Sequence, residues 1–246
     1  MAALYWLKRP IAHRGLHDAA HGVVENSASA VKAAMGKGYA IEVDLQCAAG
    51  HRPIVFHDGT LDRLTDDAGP VAARDVEALR EISLKGCSDR ILSLPDLLAL
   101  VGGYVPLVLE VKSTWTREGT FEANIAQALS SYDGPVAVMS FDPHAIAAFL
   151  RVAPALPRGL IAGRFDAEHW PQLSPAQRFS MRHLLTSAFA QPNFIASDIR
   201  SLPALAPLIA KSLFGLPLLT WTVKTDADRT RALRYADAMI FEGLEP

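Results

Sequence analysis

At 246 residues, half of them apolar, the chain can bury a core of barrel size, in one domain or two small ones. A net charge of -2 without a basic run excludes an electrostatic case for nucleic acid, and no apolar stretch approaches a membrane span. Two cysteines, Cys47 and Cys87, in no metal-ligand spacing, read as free thiols in a reducing compartment.

The opening MAALYWLKRPIAHRG has a short apolar run before Lys8 with no charged region ahead of it, unlike a secretory signal, so a cytoplasmic protein is expected. Next comes a strand at Pro10–His13 and a helix at Ser27–Lys37, with Asn26-Ser27 as its start signal. Strands follow at Ala40–Gln46 and Pro53–His57, then a helix at Leu94–Val101. From there strand and helix alternate: Pro106–Val111, Gly119–Ser131, Val136–Phe141, Asp142–Val152, Arg158–Ala162, Pro175–Phe189, Asn193–Ser197, Pro203–Leu213, Leu216–Val223, Asp226–Tyr235 and Ala238–Glu242. Pro143, Pro175 and Pro203 fall near first helical turns. Such alternation predicts a parallel sheet with helices outside.

The link between Ala40–Gln46 and Pro53–His57 is too short for a crossover helix, so these two form an antiparallel hairpin turning near Ala49-Gly50, with Glu42 opposite His57. Setting aside the second arm leaves the strands of a (β/α)8 TIM barrel. The expectation is a single barrel domain over residues 1–246, with the hairpin and a short insertion (47–93) at its C-terminal rim. The polar part of that insertion, carrying Asp62, Arg63, Asp66, Asp67, Arg74 and Asp75, is expected to shape access to the rim.

Polar residues at the C-terminal strand ends are where such a barrel keeps its active site. The first strand ends in His13-Arg14, the second carries Glu42 and Asp44, the hairpin arm ends in His57-Asp58, and LVLEVKS holds Glu110 and Lys112. Glu42/Asp44 and Glu110/Lys112 each point to one side of their strand. Three convergent carboxylates cannot stay charged and unpaired in a barrel, and all-oxygen ligation predicts Mg²⁺ or Ca²⁺ as cofactor. Two histidines beside such a metal suit acid and base roles, Arg14 offers a bidentate grip on phosphate, and Lys112 pairs with a carboxylate or an anionic substrate. Together these residues describe phosphate-ester chemistry.

Taken singly, each has a plainer role. Glu42 or Glu110 alone would be a salt-bridged rim residue, and His13 a strand-end histidine. His17, Asp18 and His21 read as a solvated loop, Cys47 as a small core residue, and Trp221 as either core or pocket wall.

The chain resembles the glycerophosphodiester phosphodiesterases in HRG at 13–15, ENS at 25–27, EVDLQ at 42–46 and VFHDGTLDRLT at 55–65. LEVKS at 109–113, MSFDP at 139–143 and TWTV at 220–223 continue the likeness along nearly the whole chain. The resemblance implies a (β/α)8 barrel, metal-binding Glu42, Asp44 and Glu110, an acid–base pair His13 and His57, and phosphate-contacting Arg14 and Lys112. It places Asn26 near the site, with Asn26 and Trp221 expected among the substrate contacts. The implied reaction splits a small-molecule glycerophosphodiester into sn-glycerol 3-phosphate and an alcohol, attack coming from water or from the substrate's own 2-hydroxyl. No nucleic acid and no membrane span are expected, and a homo-oligomer is left open. The chain departs from the family at Val24, where proline is usual, and at Ala238 and Phe241-Glu242 on the closing strand. Competing readings are a phosphodiesterase acting on lysophospholipids, an inositol-lipid phospholipase C, and a non-catalytic barrel that binds phosphate esters.

Overall fold

The structure, a computed structural model, describes residues 4–246, so the first three residues of the expected domain lie outside the description. The described residues form β1 (Ile11–Ala12), β2 (Ala40–Ala48), β3 (Arg52–Val55), β4 (Leu92–Ser93), β5 (Leu107–Val111), β6 (Val136–Ser140), β7 (Arg158–Ala162), β8 (Phe194–Asp198), β9 (Leu218–Val223) and β10 (Ala238–Phe241). Helices α1 (Ala28–Gly36), α2 (Val76–Arg80), α3 (Leu94–Val101), α4 (Thr120–Leu129) and α5 (Pro143–Val152) fall between them, followed by α6 (Pro175–Arg182), α7 (Ser187–Ala190), α8 (Leu205–Phe214) and α9 (Asp226–Tyr235).

Strands β1, β2 and β5–β10 pair in parallel and close where β1 meets both β2 and β10. This is the (β/α)8 barrel, with β3 and β4 attached outside it in antiparallel pairing. Alternation decides what each side chain does. Ile41, Val43 and Leu45 of β2 and Leu107, Leu109 and Val111 of β5 pack outward against Leu94, Leu97, Phe121 and Phe149 of the helices. The opposite parity, Ala40, Val108, Met139, Ile161, Phe194 and Ile240, fills the interior. Trp6, just ahead of β1, joins that inner cluster and plugs the N-terminal end of the barrel. The interior is therefore a packed core, and only its C-terminal mouth is polar.

The hairpin register differs from expectation by one residue. Leu45 pairs with Val55 and Ala48 with Arg52, because the turn holds three residues, Ala49–His51, with Gly50 and His51 both left-handed. Phe56 N–H donates to the Asp44 carbonyl at 3.1 Å, which places Phe56, not His57, across from the carboxylate strand. His57 follows in a bend, where Gln46 Nε2 donates to its carbonyl at 3.2 Å. The insertion is not merely polar. Ile54, Phe56, Leu61, Val71, Val76, Leu79, Ile82 and Ile91 bury a satellite core, and Val24 joins it. The helix expected over Pro175–Phe189 breaks into α6 and α7, because Leu184 takes a left-handed conformation (φ 57°) and buries its side chain.

Gly159 of β7 lies against the Phe194 ring, and a Cβ there would come within 2.1 Å of it. Gly159→Ala is therefore expected to destabilise the fold by about 1–3 kcal/mol through overpacking, measured by urea unfolding, whereas Gly36→Ala, with open space around it, is expected to be neutral or stabilising.

Candidate active site

The turn after β1 builds one wall of the mouth. Gly15 sits at φ 78°, and a Cβ there would press to 2.8 Å from the Ala30 backbone carbon, so glycine is what lets this turn pack on α1. Packed this way, the Arg14 N–H donates to Glu42 Oε2 at 2.9 Å and the Gly15 N–H to the Glu42 carbonyl at 3.1 Å.

Glu42, Asp44 and Glu110 point into the mouth, all buried, each offering a ligand oxygen within 4.8 Å of the others. Asn26, left-handed at φ 59°, clamps Asp44: its Nδ2 donates to Oδ2 at 2.9 Å and its Oδ1 accepts the Asp44 N–H at 3.2 Å. Lys112 Nζ lies 2.8 Å from Asp44 Oδ1 and also bonds Glu110, while Arg14 Nε lies 3.2 Å from Asp44 Oδ2. These neighbours split the carboxylates electrostatically. Burial, then repulsion by Asp44, pushes Glu42 up to about 8. Burial also opposes charge on Asp44, but Lys112 and Arg14 override it and hold the carboxyl far below its ordinary range. Glu42 Oε1 is buried without a hydrogen-bond partner. That orphaned oxygen and the all-oxygen donor set fit a hard divalent cation.

Each histidine is backed by a carboxylate. His13 Nδ1 lies 2.8 Å from Glu242 Oε2 while its Nε2 faces Glu42 at 3.9 Å. Burial works against its charge, yet Glu242 and Glu42 leave its pKa raised. Glu242 in turn is held down to about 2, chiefly by His13, and Lys224 Nζ bonds its other oxygen at 2.7 Å. His57 Nδ1 lies 2.6 Å from Asp58 Oδ1. Arg63 grips Asp58 through Nε at 2.6 Å and Glu25 through Nη2 at 2.7 Å, and Glu25 accepts from Arg14 Nη1 at 2.8 Å. One continuous chain of ion pairs thus runs from Asp44 through Arg14, Glu25, Arg63 and Asp58 to His57. In both dyads a carboxylate accepts from Nδ1–H, which leaves Nε2 for chemistry.

The structure brings His13, Arg14, Glu42, Asp44, Glu110 and Lys112 together. His57 arrives on the hairpin arm, joined to Asp44 through Asp58, Arg63, Glu25 and Arg14. Asn26, expected among substrate contacts, spends its amide on Asp44 from behind. Trp221 lies half-buried, with its Nε1 donating to the Ala196 carbonyl at 3.1 Å and its ring edge-on to Phe141 at 5.5 Å. Phe141 also meets Phe165 and Trp170, so the loops after β6 and β7 carry an aromatic cluster that sequence reasoning left out. Glu242 was read only as a departure on the closing strand, although its inward parity with Ala238 and Ile240 was available. His17 is not solvated. It is half-buried, its Nε2 has no partner, and a nitrogen of its ring lies within 4.8 Å of ligand atoms on His13 and Glu242. Asp18 and His21 do form an exposed pair, at 2.6 Å.

The fold and this mouth define a (β/α)8 barrel with a carboxylate, histidine and cation rim. The chain belongs to the glycerophosphoryl diester phosphodiesterase family, which it matches over residues 13–242. It is 26% identical to a glycerophosphodiester phosphodiesterase of Caldanaerobacter subterraneus subsp. tengcongensis over 91% of this chain and 89% of that protein. A shorter match, 36% over 74 residues, covers 30% of this chain and 22% of the Bos taurus glycerophosphodiester phosphodiesterase 1. Among solved structures, an Oleispira antarctica phosphodiesterase in complex with its product sn-glycerol-3-phosphate superposes with a TM-score of 0.79 at 19% identity, covering 97% of this chain and 94% of that one. A glycerophosphodiester phosphodiesterase from Parabacteroides distasonis gives 0.74 at 17%, covering 95% and 92%. At these identities the structural likeness establishes the fold.

Arg63, whose hydrogen bonds are the largest influence, holds Asp58 down to about 2. A depressed carboxyl adds stability above its unfolded pKa of about 4, and that stability is lost as pH falls through the folded value. Arg63→Ala is accordingly expected to lower unfolding stability at neutral pH, with the gap from wild type narrowing between about pH 4 and pH 2. Denaturant titrations across that range measure it, and a gap that stayed constant down to the lowest pH would contradict the assignment.

Proposed function

We propose that this protein hydrolyses glycerophosphodiesters to sn-glycerol 3-phosphate and an alcohol, with Glu42, Asp44 and Glu110 holding a divalent cation, Mg²⁺ or Ca²⁺. The observation that carries this reading is the pair of carboxylate-backed imidazoles beside a buried three-carboxylate cluster and two cations. The product bound to the Oleispira antarctica relative supports the substrate class. When bound, such a cation supplies positive charge against the phosphoryl oxygens as charge develops. Arg14 and Lys112, already aligned on Asp44, turn their remaining N–H groups to the phosphate and orient it. One imidazole accepts the proton of the attacking oxygen at Nε2, and the other donates to the departing alcohol oxygen. Glu242 and Asp58 keep each ring in the tautomer that does this and stabilise it when charged. The aromatic side of the barrel, Trp221 with Phe141, suits an alcohol bearing a quaternary ammonium through cation–π attraction, so choline is favoured over ethanolamine.

The test is release of glycerol 3-phosphate from glycerophosphocholine and glycerophosphoethanolamine with Mg²⁺, with Ca²⁺ and with EDTA. Release is expected to require the cation, and His13→Ala and His57→Ala are each expected to lower kcat about 10²–10⁴-fold. Glu242→Gln, which keeps size but loses the charge behind His13, is expected to lower kcat about 10–100-fold with KM little changed. Trp221→Ala is expected to raise KM for the choline ester more than for the ethanolamine ester. A folded protein that releases nothing from either ester would move the assignment to lysophospholipids.

A further inference from the structure

The break at Leu184 has a consequence outside the mouth. Because α6 and α7 are short, the helical layer over β7 and β8 stays open, leaving a groove of about 1420 Å³ that reaches Ala162 and Ser197 on the strands. Its apolar wall is α8, from which Leu205, Ile209 and Phe214 line the groove, and Leu213 continues the face of Leu205 and Ile209 beyond it. Leu205 and Leu213 are 77% and 75% exposed, and Phe214 and Leu185 nearby stand out almost as far. The groove also has a basic side. Arg164, Arg178, Arg182 and Arg200 line it, and only Arg200 has a carboxylate partner among the described residues. Asp166 is its acidic lining residue, and His169 engages that carboxylate at 2.7 Å.

We propose that this groove and the exposed face of α8 dock the protein on an anionic phospholipid bilayer, with the apolar side chains entering the interface and the arginines meeting headgroup phosphates. The charge decides between occupants. A two-fold dimer would set this patch against its own copy, which offers the arginines Asp166 as the acidic lining residue and no phosphate. An anionic bilayer complements both halves, the apolar wall and the arginine rim. Side chains three-quarters exposed also project from the surface, as interfacial anchors do, and do not enclose a small ligand. No helix among the described residues is long and apolar enough to cross a membrane.

Co-sedimentation with vesicles of phosphatidylcholine alone, and of phosphatidylcholine with an equal part of phosphatidylglycerol, tests this. Binding is expected to the anionic vesicles only, to weaken as salt rises, and to fall about tenfold in Arg178→Glu/Arg182→Glu. Leu205→Glu/Leu213→Glu is expected to abolish it while hydrolysis of a water-soluble diester and the melting curve stay unchanged, because both side chains lie in solvent. Absence of binding, equal binding to neutral vesicles, or binding indifferent to both variants would overturn the proposal. So would a concentration-dependent dimer in light scattering that Leu205→Glu/Leu213→Glu dissolves, since the face would then be a self-interface.

Discussion

Burying carboxylates in a barrel mouth is the constraint on which the rest depends. Glu42 and Asp44 are almost wholly withdrawn from water, and Glu110 nearly so. Uncompensated, such charges are expelled from a low-dielectric site or neutralised by protons. The chain answers Asp44 with Asn26, Arg14 and Lys112, and leaves Glu42 pushed up to about 8 with one oxygen unpaired. The site is therefore electrostatically incomplete as the protein alone provides it, and its donor set fits a divalent cation. The neighbouring features follow from that need: the glycine turn that drives the Arg14 amide onto Glu42, and the inward parity of β2 and β5.

Charge organisation extends well beyond the three carboxylates. His13 and His57 come from separate segments, one on the first strand turn and one on the hairpin arm, and each is braced by its own acid. The brace on His57 is shared, since Arg63 ties Asp58 to Glu25 and Glu25 ties back to Arg14. A disturbance of the insertion is thereby felt at Arg14. The satellite core beneath the insertion has the same effect by packing: Phe56 and Ile54 anchor the arm that carries His57, and Val24 seats the segment that carries Glu25 and Asn26. Val24, read from the sequence as a departure from the family, is a packed residue of that core.

Much of the fold was legible because its strands are short apolar runs buried on both faces, separated by helices with polar outer faces. Carboxylates interrupting those runs, at Glu42, Asp44 and Glu110, marked the mouth. The hairpin register was not legible, because it depends on whether the turn holds two residues or three, and Gly50 allows either. The break at Leu184 was hidden for a similar reason: nothing in the local sequence demands a left-handed leucine, and only burial of that side chain accounts for it. Arg63 showed as part of a polar run, yet its partner Glu25 lies 38 residues away, a contact that only the folded chain defines. His17 was misread because two exposed neighbours, Asp18 and His21, set the character of its loop.

The measurement that reaches the centre of this account is calorimetric titration of the resting protein with Mg²⁺ and with Ca²⁺, in the absence of substrate, alongside Glu110→Gln and Glu42→Gln. One saturable binding event in the wild type, abolished or much weakened in both variants while their folds persist, is the expected result. An absence of binding in the wild type, or binding that survives both substitutions unchanged, would contradict the role of the buried carboxylates as a cation site.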